Sequence, residues 1–441
     1  TWQQDVRYNY GRTNKLNDDA TLKTLYTRIN HVNNIVDLID DMPHATEEDA
    51  ALYHRVKGEA LFARSQFYFA LANLYGRPYR LDSAAVDLCV PLKLTSYVEH
   101  NKAQETQFSR ATNAEVYAQV AKDLETAASE LAVSPQPDRF RLHRASAEAA
   151  NLLLSRVYLY MQRWSDAEKA ARRVVESPRA KLTPLSALQS GQPFLTRNNV
   201  EILFTQGANH LAAADRNTSL TGAPADYCVT RELYELFSAF DARRSTFFST
   251  NSLSDSLGLA NKYERTTEAN HISDGFTLRT AEAYLNLAEA LAMQGKDAEA
   301  NTVLHKLQSQ RIDEDLMNFT GEELVNEIRN ERRRELCFEG HRWFDLRRYS
   351  VLEKYPLRKT VVHAFNAYTE QNSFLTTHLF LLPSGDAAYS FSLPESVISF
   401  DKVPMPNHVR PERVEVKKPR ELPNVPDEEE ENTPETPTPA P

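Results

Sequence analysis

The sequence predicts a mostly α-helical fold on three observations. Apolar residues recur at helical spacing along much of the chain, and two distant segments share one helix–turn–helix pattern. A charge-rich stretch before residue 349 also sets opposite charges one turn apart. With 441 residues, 41% hydrophobic and 25% charged, the chain has the composition of a globular protein and the length for one large or two modest domains.

The first helix is expected over Leu22 to Ile39, where Leu22, Leu25, Tyr26, Ile29, Val32, Ile35, Val36 and Ile39 share one side before Asp40-Asp41-Met42-Pro43. Glu47 to Tyr75 follows with its own apolar side, stopped by Gly76 and Pro78. Residues 80–107 lack clear periodicity and read as loop. Asn113 is suited to cap a third helix reaching about Leu131, since its side-chain oxygen can accept from first-turn amides. After the Ser134-Pro135-Gln136-Pro137 break, helices are expected over Arg144 to Met161, Ser165 to Glu176, Thr277 to Met293 and Asp297 to Arg311, with a last long helical region from Gly321 to Tyr349.

That last region holds the densest pattern in the chain. On one helix, Arg332, Glu335, Glu339, Arg342 and Asp345 follow at steps of 3, 4, 3 and 3, and so share a face. Trp343 and Leu346 draw the face toward the core, so the charges must pair with one another. The reading is a structural ion-pair ladder. Catalytic use of Glu335, Glu339 or Asp345 is disfavoured, because nearby arginines would hold each carboxyl pKa down.

Ala150 to Glu168 and Ala283 to Ala300 resemble each other: small residues in a first helix, a short turn, then Asp-Ala-Glu opening a second. This resembles the tetratricopeptide repeat, where small residues let paired helices pack closely. Two ordinary helical hairpins are the alternative.

The charged stretch resembles the C-terminal helix motif of the SusD/RagB family. Ile328, Glu331-Arg332, Glu335-Leu336, Phe338-Glu339-Gly340, Arg342, Asp345-Leu346 and Arg348 fill its fixed positions. Further matches follow in family order: Arg110 to Tyr117 with Asp123-Leu124, Ala149 to Trp164, Asn199 to Phe204, Phe237 to Arg244, Lys262-Tyr263, Leu278-Arg279 and Ala281 to Leu285. The resemblance implies a single SusD-like domain over residues 1–420, built of tetratricopeptide-like helical hairpins near 22–75, 113–177 and 277–349 with long irregular loops. It also implies a nutrient-binding lipoprotein on the outer surface of a Gram-negative outer membrane, acting as a lid on a SusC-like TonB-dependent transporter. The lipid-carrying cysteine usual in the family would precede residue 1. Residues 421–441 depart from the family: seven acids, no base and many prolines predict a disordered or extended tail.

Removing those seven acids from the net charge of −10 leaves about −3 for the body. A near-neutral body without a basic stripe argues against nucleic acid and against a polybasic lipid patch. No apolar run approaches the roughly 18–20 residues needed to span a bilayer. The three cysteines, Cys89, Cys228 and Cys337, suit no zinc site; a Cys89–Cys228 disulfide stays open, and Cys337 reads as a small core residue. No catalytic motif, metal site or cofactor is implied.

Binding is the better expectation, with sugar rings stacking on aromatics and their hydroxyls meeting polar side chains on scaffolded loops. The candidates are Trp2, Tyr8, Asn9 and Tyr10 before the first helix; Tyr75, Tyr79 and Arg80 after the second; and Asn217, Asp226 and Tyr227 in the long irregular region. Packing is the competing reading for the tyrosines at the helix end. Oligosaccharides are the first ligand class and oligopeptides the alternative. Two other readings stay open: a tetratricopeptide-type interaction scaffold, which would need contiguous repeats, and a helical carbohydrate-active enzyme.

Overall fold

A computed structural model describes residues 15–97, 108–137, 142–207, 229–251, 256–259, 262–263, 272–368, 374–400 and 405–407. Helices dominate it. The two halves of an N-terminal hairpin are α1 (Lys15–Leu38) and α2 (Glu47–Tyr75). Helix α2 starts where the sequence places it because the Thr46 hydroxyl accepts from the Asp49 amide, with Glu47, Glu48 and Asp49 at the positive end of the helix dipole.

Helix α3 (Asn113–Val133) is capped one residue earlier than expected. Thr112 and Glu115 form a reciprocal capping box, and Asn113 instead turns its amide to the Arg77 carbonyl at 3.1 Å. Thus a side chain expected to start a helix ties down the loop that leaves α2.

Helices α4 (Ala147–Tyr160) and α5 (Trp164–Val175) form the first repeat-like hairpin. Helices α6 (Arg231–Glu235) and α7 (Ala242–Phe247) are short. The second hairpin is α8 (Thr280–Met293) and α9 (Asp297–Gln308). Although more than a hundred residues separate the hairpins in sequence, α5 packs directly on α8, so the four helices stack consecutively. Ser155 and Asn286 meet at 2.9 Å across this junction, and Arg156 grips both oxygens of Glu282 at 2.6 Å.

Thr277–Arg279 is not the start of α8. It is a strand, pairing antiparallel with Ile202–Thr205. The change of structure sets Arg279 at the N-cap of α8, where it enters the core fully buried. Two further antiparallel pairs join Phe248–Asn251 to Ser256–Leu259, and Val361–Tyr368 to Phe374–Leu382. A short helix spans Glu395–Phe400.

The last helical region also differs from expectation. It divides into α10 (Gly321–Glu335) and α11 (Arg342–Tyr349). Between them Phe338 and Gly340 take left-handed backbone, with φ of 63° and 77°. The carbonyls released at this break find cations from elsewhere in the chain. Lys262 Nζ donates to the Glu335 and Cys337 carbonyls at 2.8 and 2.5 Å, and Arg279 also donates to Glu335 O at 2.7 Å. Tertiary donors thus replace the helix's own amides.

The largest apolar core lies among α1 to α4, and a second fills the space between α8, α9 and α10, with half-buried Trp164 touching both. Cys89 and Cys337 are buried free thiols, so the disulfide left open above is not formed. Among the described residues, no helix is long and apolar enough to cross a membrane.

Candidate functional site

The break between α10 and α11 organises the most unusual feature of the interior, a closed network of buried charge. Glu335 lies at its centre. It accepts from Arg279 at 2.5 Å, from Arg243 at 2.7 Å and from Arg311 at 3.0 Å. Glu339 takes both the Nε and Nη2 of Arg279 at 2.8 Å, together with Lys262 Nζ at 2.8 Å. Glu201 bridges Arg279 and Arg311 at 3.0 and 2.6 Å, while Asp241 and Glu331 hold Arg243 at 2.7 and 2.5 Å. Arg334 extends it, tying Glu331 to half-buried Glu327 at 2.7 and 2.5 Å.

A second network adjoins it. Arg332 and Arg348 share Asp345 at 2.9 Å each, Arg348 also grips Glu289, and Arg332 donates to Asn286 at 2.8 Å. The five residues expected to form a ladder on one helical face are therefore redistributed. Arg332 and Asp345 pair across the break; Glu335 and Glu339 turn to Arg243, Arg279, Arg311 and Lys262; Arg342 joins neither network. The left-handed turn at 338–340 rotates α11 away from the line of α10, which ends any single face.

The arginines set the electrostatics. Although burial alone would raise carboxyl pKa values, Glu331 is pulled down to about 2, and Glu335, Glu339 and Asp345 also fall below their ordinary values because guanidinium groups surround them. Such carboxylates hold no proton to donate near neutral pH, so they brace the fold. His341 is pushed well below its usual range by burial and by Arg156, Arg332 and Arg279, and is neutral. Among the described residues, no cluster of His, Cys, Asp or Glu is arranged to hold a metal ion.

Of the sequence-derived ligand candidates, Trp2, Tyr8, Asn9, Tyr10, Asn217, Asp226 and Tyr227 lie outside the described residues. Tyr75 is buried, 1% exposed, with its ring edge-on to Phe391 at 6.2 Å. That is a packing role at the helix end, and it leaves no ring face for a ligand. Tyr79 is half-buried, edge-on to Tyr117 at 5.1 Å, and Arg80 is exposed with its guanidinium on Asp82 at 2.8 Å. The structure therefore keeps Tyr79 and Arg80 together on the segment leaving α2 and buries Tyr75 at the end of that helix.

That segment is firmly held. Arg347 donates to the carbonyls of Asn73 and Gly76, and Arg110 donates to the carbonyls of Tyr75, Leu88 and Cys89. A Cβ at Gly76 would come within 2.9 Å of both Asn113 Oδ1 and Cys89 Sγ, so only glycine fits at this exit.

A cavity of about 240 Å³ that sequence reasoning missed opens where α10, α11 and α6 converge. Arg329, Arg333, Arg342, His341, Phe338 and Thr230 are among its walls. The missed signal was the Glu339-Gly340 step: a helix broken there separates Arg342 from the acids that a continuous helix would give it.

Two family models match the chain. One, described as "SusD family", covers residues 242–381, and another, "Starch-binding associating with outer membrane", covers residues 2–159. Among solved structures, a SusD-like carbohydrate binding protein from Bacteroides vulgatus is 24% identical, with a TM-score of 0.63 over 83% of this chain and 76% of its own. A SusD superfamily protein from Bacteroides thetaiotaomicron is 24% identical, with a TM-score of 0.65 over 86% and 83%. One from Bacteroides fragilis is 23% identical, with a TM-score of 0.62 over 88% and 84%. A comparison with curated proteins finds no match. Matches to SusD-type models in both halves of the chain, joined by one shared fold, identify it as a SusD-like protein.

Proposed function

We propose that this chain captures oligosaccharide at the cell surface and passes it to a SusC-like TonB-dependent transporter in the outer membrane. One observation carries the reading: the chain's match to the family described as starch-binding and associating with the outer membrane covers residues 2–159, which include both the Trp2 to Tyr10 and the Tyr75 to Arg80 segments. On this reading a lipid anchor preceding residue 1 holds the protein at the surface, and the transporter supplies the pore.

The geometry supports binding over turnover. The buried carboxylates are neutralised by arginine, so no acid among them is poised to protonate a glycosidic oxygen. Tyr79 and Arg80 leave a helix end that Arg347, Arg110 and Asn113 hold in place, and such preorganised loops bind with less ordering cost. In this role Tyr79 offers a ring to a sugar face and Arg80 a hydrogen-bond donor; Trp2, Tyr8, Asn9, Tyr10, Asn217, Asp226 and Tyr227 are the further candidates.

Calorimetric titration of oligosaccharides into the intact chain and into Tyr79→Ala tests this. Weaker binding by the variant at unchanged melting temperature supports the role of Tyr79; hydrolysis of the sugar during the titration contradicts a binding protein. Binding of oligopeptides alone would favour the peptide-capturing alternative.

A further inference from the structure

Trp343 and Tyr389 meet outside the two main apolar cores, their ring centroids 4.7 Å apart and their planes tilted by 42°. They belong to a small apolar cluster where Val361 pairs with Leu382 at one end of the last strand pair. Buried Leu346 and Ala388 share this cluster, and half-buried Leu357 packs against it.

Packing explains the two rings but not their polar tips. Tyr389 is only 5% exposed, yet among the described residues its hydroxyl has no hydrogen-bond partner and is not sealed from solvent. For packing alone, phenylalanine would serve as well. Trp343 is half-buried, and its indole N–H likewise has no partner among the described residues. Tyrosines and tryptophans buried to this degree usually satisfy these groups within the protein.

Arg342, which precedes Trp343, is also half-buried, and among the described residues it makes neither an ion pair nor a side-chain hydrogen bond. Its charge reaches the Tyr389 phenol: burial pushes that phenol's pKa up, and Arg342 works against the rise. Three unused polar groups therefore gather around one aromatic pair. The indole and the guanidinium only donate, while the phenol can donate or accept.

The pair is also fixed in place. Ser390, next to Tyr389, donates to the Gly76 carbonyl at 2.7 Å, and Arg347, one helical turn beyond Trp343, donates to the same carbonyl at 2.6 Å. The Tyr79–Arg80 segment departs from that residue, so both aromatic surfaces are fastened to one point of the scaffold. A platform held this way binds with little ordering cost.

We propose that Trp343 and Tyr389 form a second sugar-binding platform, which takes one neutral pyranose unit. Its C–H face lies on the accessible part of the Trp343 ring, and its oxygens accept from the indole N–H, the Tyr389 hydroxyl and Arg342. That the ligand is a sugar rests on the capture role proposed above. That it pairs an apolar face with acceptor oxygens rests on this cluster alone.

Calorimetry and tryptophan fluorescence with maltohexaose, cellohexaose and mannohexaose test the proposal on the intact chain, Tyr389→Phe and Trp343→Phe. A sugar that binds should lose about threefold to tenfold in affinity in Tyr389→Phe, the range of one hydrogen bond. That variant should melt with the parent, because its hydroxyl has no protein partner to lose. The emission change caused by the sugar should shrink in Trp343→Phe, which keeps Trp2 and Trp164 as reporters. Unchanged affinity in Tyr389→Phe, or an undiminished emission change in Trp343→Phe, overturns the platform. Either result, with binding still weakened by Tyr79→Ala, leaves the capture role standing; an intact chain that binds none of the three sugars overturns both.

Discussion

Arg347 Nη2 donates to the Gly76 carbonyl at 2.6 Å, joining residues 271 positions apart. The contact links the charged motif around residues 329–348 to the exit of α2, from which the Tyr79–Arg80 surface departs. Ser390 completes the junction, donating to Gly76 O at 2.7 Å and accepting from Arg347 at 3.1 Å. Among the described residues Arg347 meets no carboxylate; its buried charge is met by backbone and hydroxyl oxygens. Arg347→Ala should destabilise the chain by about 1–3 kcal/mol, because the Asn73 carbonyl loses this donor inside the core. Chemical denaturation measures this, and an unchanged midpoint would show that the clamp is not needed.

Glu335 is the acid on which three arginines converge. Glu335→Gln keeps its size and removes its charge, so Arg243, Arg279 and Arg311 must share fewer carboxylates. Removing one partner of a buried pair typically costs about 3–5 kcal/mol. The expected result is a large fall in melting temperature. A variant as stable as the parent would mean that the network compensates for a missing charge.

The depressed carboxylates also fix the direction of the pH response. A group whose folded pKa lies below its unfolded one contributes its full stability above the unfolded value and loses it as pH falls toward the folded value. For Glu331, with an ordinary value of 4.5 and a folded value of about 2, the loss falls between those limits. Glu335, Glu339 and Asp345 shift the same way. Melting temperature should therefore drop steeply below pH 4.5, and the drop should shrink in Glu335→Gln. A flat profile across that window would contradict the assignment.

Gly340 and Gly295 both take left-handed backbone, with φ of 77° and 74°, but only Gly340 is crowded: a Cβ there would stand 3.2 Å from the Gly275 carbonyl. Gly295 faces open space. Gly295→Ala should cost about 1–2 kcal/mol from backbone strain alone. Gly340→Ala should cost more, since the chain must also shift from Gly275. Equal costs, read by denaturation, would show that the contact gives way freely.

Much of the helical fold was legible because its cause is local. Helix α2 runs from Glu47 to Tyr75 as read, since its apolar spacing, its Thr46 cap and its Gly76 exit all lie in adjacent sequence. The two repeat-like hairpins were legible for the same reason, but their direct stacking through Ser155 and Asn286 was not, because it depends on how the residues between them fold back.

Two of the misreadings share one physical origin, a remote partner that overrides a local helical pattern. Thr277–Arg279 continues a helical pattern in sequence, yet pairs as a strand with a remote segment, and Arg279 is needed there to reach Glu335 and Glu339. The charges at 332–345 keep helical spacing through a break that Lys262 and Arg279 stabilise by taking the released carbonyls. The strand pair within Val361–Leu382 lies beyond the last helical region and received no assignment, although its β-branched and aromatic residues favour a strand. Of the ligand candidates, Tyr75 was chosen for its residue type, which does not report burial; Tyr79, four residues on in the non-helical segment, keeps partial exposure.

The central claim is that this SusD-like chain binds glycans. A thermal-shift screen of the intact chain against neutral and acidic oligosaccharides, with mixed oligopeptides in parallel, tests it most directly. A sugar present at about a hundred times its dissociation constant should add about 2.7 kcal/mol and raise the melting temperature visibly. The account predicts that oligosaccharides raise it and peptides do not; stabilisation by peptides alone, or by no sugar in the panel, would contradict it.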